Sequence, residues 1–333
     1  MATQLRDYHG NPIDPKTSGG GGGGTSANNH WEGGKICILG TSVAWGSNSS
    51  RDANPLDETQ QGHAYCLEAS NILNFTAICG ACPGLALHAY KVVYRNASNV
   101  QQTCYAPLTY GSSCLSKAEY SSWCNDIKPK IVDGTYTIVS CSDPSFGNYG
   151  TQAEWANART MSSITFPSTM PTWTPDRNQN SYARTWENVF NASNQDVNLW
   201  VFATLPNNTD FADTDWNAFK SNEWGYSDDS RFEEHRSTFL GAMLFMLDKM
   251  YALNPYARMV LVADSAFAYT NVNDMKTMAT AWKLPLIDLY AKMNITPKGN
   301  DIFRSIGGTD PHPSGYAQML MGRIFANELL LIA

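Results

Sequence analysis

The stretch Ile36-Cys-Ile-Leu-Gly-Thr-Ser-Val-Ala-Trp-Gly46 limits what this chain can become more than any other. Consecutive apolar residues in a short run read as a strand buried on both faces, the pattern of a parallel sheet. The run stops at Gly40, and Ser42 follows two residues later, where such a strand hands over to a loop. Glycines at 40 and 46 permit a sharp turn and leave the Ser42 hydroxyl uncrowded. Ligands of open α/β sheets sit just beyond the carboxyl ends of strands, so a serine there is placed for chemistry. An ordinary strand-to-loop turn with a capping serine accounts for the same residues. The stretch is not a G-x-S-x-G elbow, because Ala44 stands where the second glycine belongs.

Further along, the alternation repeats. A helix is predicted over His63–Asn71 and a strand over Leu73–Ile78, leaving through Cys79-Gly80-Ala-Cys-Pro-Gly84; a helical pattern resumes over Leu85–Val93. Asn198–Thr204 and Met259–Ala263 read as buried strands, and Leu286–Ile287 as a short one reaching Asp288. Helices are predicted at Phe232–Leu253, stopped by Asn254-Pro255, at Val272–Trp282, and at Tyr316–Leu330. Such alternation implies a parallel sheet with helices on both faces. Its loops should converge on one edge, where a site would lie.

Two segments depart from this pattern. Residues 1 to about 30 form a polar leader ending in the run Gly19–Gly24, and composition alone says flexible linker. From about 95 to 195 the chain is rich in Ser, Thr, Asn, Tyr and Trp, with one clear strand at Thr135–Cys141; it reads as a cap inserted into the core. Trp123, Trp155, Trp173 and Trp186 lie in or beside it. Aromatic faces near Asn and Asp suit sugar rings, and the same tryptophans could equally pack the cap's own core.

Charge and cysteine content exclude several classes. The net charge of −7, without a basic run, argues against nucleic acid or an anionic membrane as the main partner. No apolar stretch approaches the length of a membrane span, and the first residues lack the apolar segment of a signal peptide, so synthesis in a cytoplasm is expected. Of eight cysteines, Cys37 and Cys141 lie in apolar runs and read as buried small hydrophobes. Cys79 and Cys82 form a C-x-x-C with no second close pair, so neither a metal nor a cofactor is expected. His63, His88 and His235 fall in predicted helices and read as surface or core residues.

Taken in order, four loops resemble the conserved blocks of the SGNH (GDSL-like) hydrolase family. Ile-Leu-Gly-Thr-Ser42 is similar to the nucleophile block, and Thr-Ala-Ile-Cys-Gly80 to the second block. Trp200-Val-Phe-Ala-Thr-Leu-Pro-Asn207-Asn208-Thr-Asp is similar to the third, and Asp310-Pro-His312-Pro-Ser-Gly to the last. The resemblance implies a flavodoxin-like three-layer α/β sandwich with a parallel sheet and an inserted cap, spanning residues 31–333. It also implies a serine esterase needing no cofactor, with Ser42 as nucleophile, His312 as base and Asp310 as its orienting acid. Gly80 and Asn208, or Asn207, would supply the oxyanion hole. A rival third block at Ser142-Asp143 is set aside, because the helix and Pro-led strand expected next follow Asn208 instead.

The departures from the family pattern are local. Thr309 holds the position of the usual Asp in Asp-x-x-His, leaving Asp310 one residue nearer the histidine, and the third block lacks its glycine. Asp7-Tyr-His-Gly-Asn-Pro-Ile13 is similar to N-terminal attachment sequences of bacteriophage fibre and tail proteins. Together the resemblances imply an O-deacetylase of host surface polysaccharide, carried on a virion through contacts of its leader with other virion proteins. The alternative is a virion structural or glycan-binding protein that kept the fold and lost catalysis.

Overall fold

The computed structural model describes residues 29–46, 64–81, 85–108, 111–159, 185–203, 235–264, 269–293, 313 and 315–332. Five strands make one sheet: β1 (Lys35–Gly40), β2 (Thr76–Ala81), β6 (Leu199–Ala203), β7 (Met259–Ala263) and β8 (Leu286–Asp288). Their spatial order is β2-β1-β6-β7-β8, and every neighbouring pair is parallel. Numbered along the chain within this sheet, that order is 2-1-3-4-5, the flavodoxin-like winding. β6 and β7 are buried throughout, as a strand covered on both faces must be.

Side-chain alternation sorts the core into two layers. Cys37, Leu39, Trp200, Phe202 and Leu261 point to one face, covered by α7 (Phe239–Leu253) and α8 (Tyr269–Trp282). Ile36, Ile38, Val201, Val260 and Val262 point to the other, covered by α2 (Tyr65–Leu73) and the C-terminal α10 (Gly315–Leu329). Short helices α1 (Ser42–Trp45) and α9 (Leu289–Lys292) follow β1 and β8. Helices α2 and α10 pack closely because Gly322 has no side chain; a Cβ there would lie 2.4 Å from Glu68 Cβ and 2.8 Å from the Tyr65 carbonyl oxygen. The α/β sandwich with a central parallel sheet is therefore as the sequence implies.

Between β2 and β6 a second, antiparallel sheet forms from β3 (Tyr90–Arg95), β4 (Gln101–Ala106) and β5 (Thr137–Cys141), in the order β4-β3-β5. The helical reading of Leu85–Val93 is wrong. Tyr90, Val92, Val93 and Tyr94 favour extended backbone, and Val92 and Tyr94 put their side chains into the small sheet's core. β4 was not legible because its first half, Gln101-Gln-Thr103, is exposed and polar. His88 accordingly lies in extended chain, fully buried, and not in a helix.

Around this sheet pack α3 (Lys117–Ser122), a π-helical turn (Trp123–Ile127), α4 (Lys128–Val132) and α5 (Gln152–Ala158). Capping boxes at Ser116/Glu119 and Thr151/Glu154 start α3 and α5. Of the two readings open for the tryptophans, Trp123 and Trp155 follow the structural one. Both are fully buried, with ring centroids 5.8 Å apart in an edge-to-face contact worth about 1 kcal/mol beyond burial. They cannot serve as sugar platforms, and Trp186, which opens α6 (Trp186–Val189), packs edge-on against Phe245. Cys141 is only half-buried, unlike Cys37, because it sits at the end of β5.

An ion pair helps to fasten the additions to the core, beside apolar contacts of Leu115, Tyr120 and Val189. Arg236, just ahead of α7, donates from both terminal nitrogens to Glu119 at 2.7 and 3.1 Å and to the Cys114 carbonyl at 2.9 Å. Burial pushes the Glu119 carboxyl up, but the hydrogen bonds and charge of Arg236 together with the hydrogen bonds from Ser116 outweigh it and hold the acid below its usual range. Helix α7 begins at Phe239, later than the predicted Phe232, which lies outside the described residues; the Thr238 hydroxyl caps it by accepting from the Gly241 N–H. His235 therefore sits in the turn before the helix.

Candidate active site

The winding reverses between β1 and β6, and in this architecture ligands occupy the crevice at the carboxyl ends of those two strands. Ser42 stands at that point. Gly40, the last residue of β1, is in register with Ala203, the last of β6. The chain then folds straight back into α1, whose Ala44 comes so near that a Cβ on Gly40 would lie 2.4 Å from the Ala44 Cβ and 3.1 Å from the Ala203 oxygen. Gly46, with φ of 78°, ends the turn in the left-handed region that glycine adopts without strain. Val43, Ala44 and Trp45 are buried, and Ser42 alone of α1 is partly exposed.

Gly80 occupies the neighbouring strand end. It pairs in register with Leu39, so it lies beside the last turn of β1 on the same edge as Ser42. It belongs to β2 itself, which runs on to Ala81, whereas the sequence reading ended the strand at Ile78. Packing alone requires glycine here, since a Cβ would meet the Ile38 oxygen at 2.8 Å and the Leu39 Cδ2 at 2.9 Å. Asn207, Asn208, Asp310 and His312 lie outside the described residues. In sequence Asn207 comes four residues after the end of β6, and His312 three residues before α10. Asp143, from the rival block, follows β5 of the small sheet, buried and paired with Arg159.

Three polar residues at this edge escaped the sequence reading. Asp264 follows directly on β7 and is 3% exposed. Its Oδ2 accepts from the Tyr65 hydroxyl at 3.1 Å, while Oδ1 has no hydrogen-bond partner among the described residues. Burial pushes this carboxyl up to about 7, and the Tyr65 hydrogen bond offsets only part of that. Tyr65 is itself raised well above the usual phenol range, by burial first and by the adjacent Asp264 second. Gln318, fully buried in α10, accepts from the Tyr65 backbone N–H at 2.9 Å and donates to the Val43 carbonyl at 2.9 Å. Asp264 was findable: an acid directly after a buried apolar run is marked by the rule that singles out Ser42. Gln318 carried no such signal.

Among the described residues no cluster of His, Cys, Asp and Glu could hold a metal ion, and no helix is long and apolar enough to cross a membrane. A cavity of about 730 Å³ opens at the opposite edge of the sheet, lined by Trp31, Asp196, Asn198, Tyr256 and Arg258 among others. Those residues lie ahead of β1, β6 and β7, so this cavity is separate from the Ser42 crevice.

No protein-family model matches the chain, and no curated protein does. Similarity to solved structures is distant. A family two carbohydrate esterase from Clostridium thermocellum, solved in complex with cellohexaose, is 12% identical with a TM-score of 0.37, over 89% of this chain and 63% of that one. A possible lipase from Chitinophaga pinensis is 9% identical with a TM-score of 0.36, over 90% of this chain and 98% of that one. A further solved chain reaches 13% identity and a TM-score of 0.39 over 90% and 97%. At these values the likeness carries no argument about chemistry, and the fold rests on the strand order and the two core layers.

Proposed function

We propose that the chain is a serine esterase acting on an O-acylated glycan, with Ser42 as its nucleophile. The observation that carries this reading is the place of Ser42: the one partly exposed residue of a tight turn, at the point where the sheet's winding reverses. In the proposed reaction His312 takes the Ser42 proton as the oxygen attacks the ester carbonyl. The backbone N–H groups of Ser42 and Gly80 and the side-chain amide of Asn208, or of Asn207, meet the oxyanion, each donor being worth about 3 kcal/mol of barrier. The alcohol leaves with the proton, and water then releases the acyl group by the same steps in reverse. Asp310 orients the imidazole. Net charge of −7 and the absence of a basic run suit a neutral sugar ester better than a polyanion. The leader, through its phage-like segment, would fasten the enzyme to a virion.

The test is hydrolysis of p-nitrophenyl acetate and acetate release from O-acetylated polysaccharide, by wild type and by Ser42→Ala. The rate should fall at least about a thousandfold in the variant. Equal rates would leave the second reading, a glycan-binding virion protein without catalysis, which the displaced Asp310 favours; polysaccharide binding without release of acetate would then be measured directly.

A further inference from the structure

Helix α1 is four residues long, far too short to hold its own shape, since isolated helices are marginal below about 12 residues. Something outside it must fix the direction of Ser42. Gly40 and Ala44 determine how closely the turn folds back, but a contact between small groups leaves the turn free to rock. A directional tie comes from α10: the Nε2 of Gln318 donates to the Val43 carbonyl, one residue beyond Ser42. The other end of the same amide accepts from the Tyr65 N–H, the first residue of α2. One end meets an acceptor and the other a donor, so the amide has a single satisfied orientation. Tyr65 in turn reaches Asp264 at the end of β7. Val43 on the β1 turn, Tyr65 on α2, and α10 are thus joined at one fully buried side chain.

We infer that Gln318 is a positioning residue, clamping the Ser42 turn to the helix that begins three residues after His312. This rests on Ser42 being the nucleophile. Its consequence is that the turn carrying Ser42 moves with α10. A polar residue kept only for core stability would have no reason to affect the chemical step selectively.

Two substitutions separate these roles. Gln318→Met keeps the volume and removes both hydrogen bonds. Gln318→Glu keeps the acceptor for the Tyr65 N–H, but donates to the Val43 carbonyl only while its carboxyl is protonated. With p-nitrophenyl acetate, Gln318→Met should lower kcat by about 10- to 100-fold at a KM within about twofold of wild type, the loss typical of a misplaced reacting group. Labelling of Ser42 by a fluorophosphonate should slow in parallel. Gln318→Glu should approach wild-type kcat toward pH 5 and fall behind it toward pH 8. Folded fractions are followed by circular dichroism, so that lost activity is not mistaken for lost protein. Wild-type kcat in both variants across that range, or a loss that tracks unfolding, overturns the inference. Hydrogen exchange of Thr41–Gly46 judges the clamp apart from catalysis. If wild type shows no Ser42-dependent turnover while exchange there quickens in folded Gln318→Met, the esterase reading fails and the clamp stands. Unchanged exchange in the folded variant removes the clamp.

Discussion

Asp143, beside the small sheet, and Asp264, at the end of β7, are buried almost equally, at 4% and 3% exposure, yet their surroundings treat them in opposite ways. Asp143 receives the Ser145 N–H at 2.8 Å, the Ser145 hydroxyl at 2.7 Å, the Trp155 Nε1–H at 2.7 Å and the Arg159 guanidinium. Burial raises its carboxyl, but these donors outweigh burial and hold it below the usual range. Among the described residues Asp264 has one side-chain donor, Tyr65, and its Oδ1 meets none, and burial pushes the carboxyl up to about 7. A carboxylate surrounded by donors organises a core, and the aromatic rings of Tyr90, Trp155 and Tyr149 around Arg159 belong to that organisation. A buried carboxyl left half-satisfied adds no comparable stability, and such groups gather where a site has other uses for them.

The largest effect expected from this contrast is on the small sheet. Arg159→Ala strips Asp143 of its counter-charge without restoring water, and removal of one partner of a buried pair costs about 3–5 kcal/mol. The urea midpoint of wild type and variant measures it. A loss below about 1 kcal/mol, the range of exposed pairs, would mean that solvent reaches Asp143 and that the two aspartates differ less than their contacts imply.

A slightly smaller effect, of a different form, is expected at Asp264. A carboxyl whose folded pKa is raised binds its proton more tightly in the folded chain. Its stabilising contribution is complete below about pH 4, declines as the pH rises toward 7, and is gone above that. The span from the ordinary carboxyl value to about 7 corresponds to about 4 kcal/mol. Asp264→Asn removes the titration, so the stability difference between variant and wild type should move by about that amount in the variant's favour between pH 4 and pH 8. Asp143 has the opposite sign: its contribution is present above the unfolded value and is lost as the pH falls through its depressed pKa. Acid should therefore loosen the small sheet, and a rise from about pH 4 to 7 the edge that carries Ser42. A difference between Asp264→Asn and wild type that stays flat with pH would show Asp264 to be an ordinary carboxylate.

The same contrast explains what could be read from the chain. Strands β1, β6 and β7 were legible because burial on both faces makes them continuous apolar runs, and Ser42 was legible because a glycine-terminated run marks a carboxyl end. β3 and β4 were not, since a sheet with one exposed face has a mixed pattern that Gln101 and Gln102 blur further. Asp143 was set aside from the catalytic block by the order of elements alone; that Trp155 and Arg159 make it a structural acid is visible only in the fold. Gln318 was beyond reach, because its partners Tyr65 and Val43 lie 253 and 275 residues away in sequence. Nothing in a helix's own pattern tells which of its amides will meet a strand end. Asn207, Asn208, Asp310 and His312 were singled out from motif alone, and activity measurements are what test them.

Asp288 is the smallest and sharpest test, because it too is an acid at a strand end, on β8, yet it differs in surroundings. Its Oδ1 accepts from the Ala291 N–H at 3.0 Å, capping α9, and its Oδ2 lies 2.8 Å from the Lys276 Nζ, whose side chain is 45% exposed. Both oxygens are satisfied and water reaches the pair. Asparagine caps helices as well as aspartate, and exposed ion pairs are worth little, so Asp288→Asn should change stability by no more than about 0.5 kcal/mol. Were Asp288→Asn to match Asp264→Asn in size and pH profile, position at the carboxyl edge would be the cause, and the orphaned oxygen would not matter. A silent Asp288→Asn beside a pH-dependent Asp264→Asn assigns the effect to the deeper burial of Asp264 with Tyr65 as its side-chain donor.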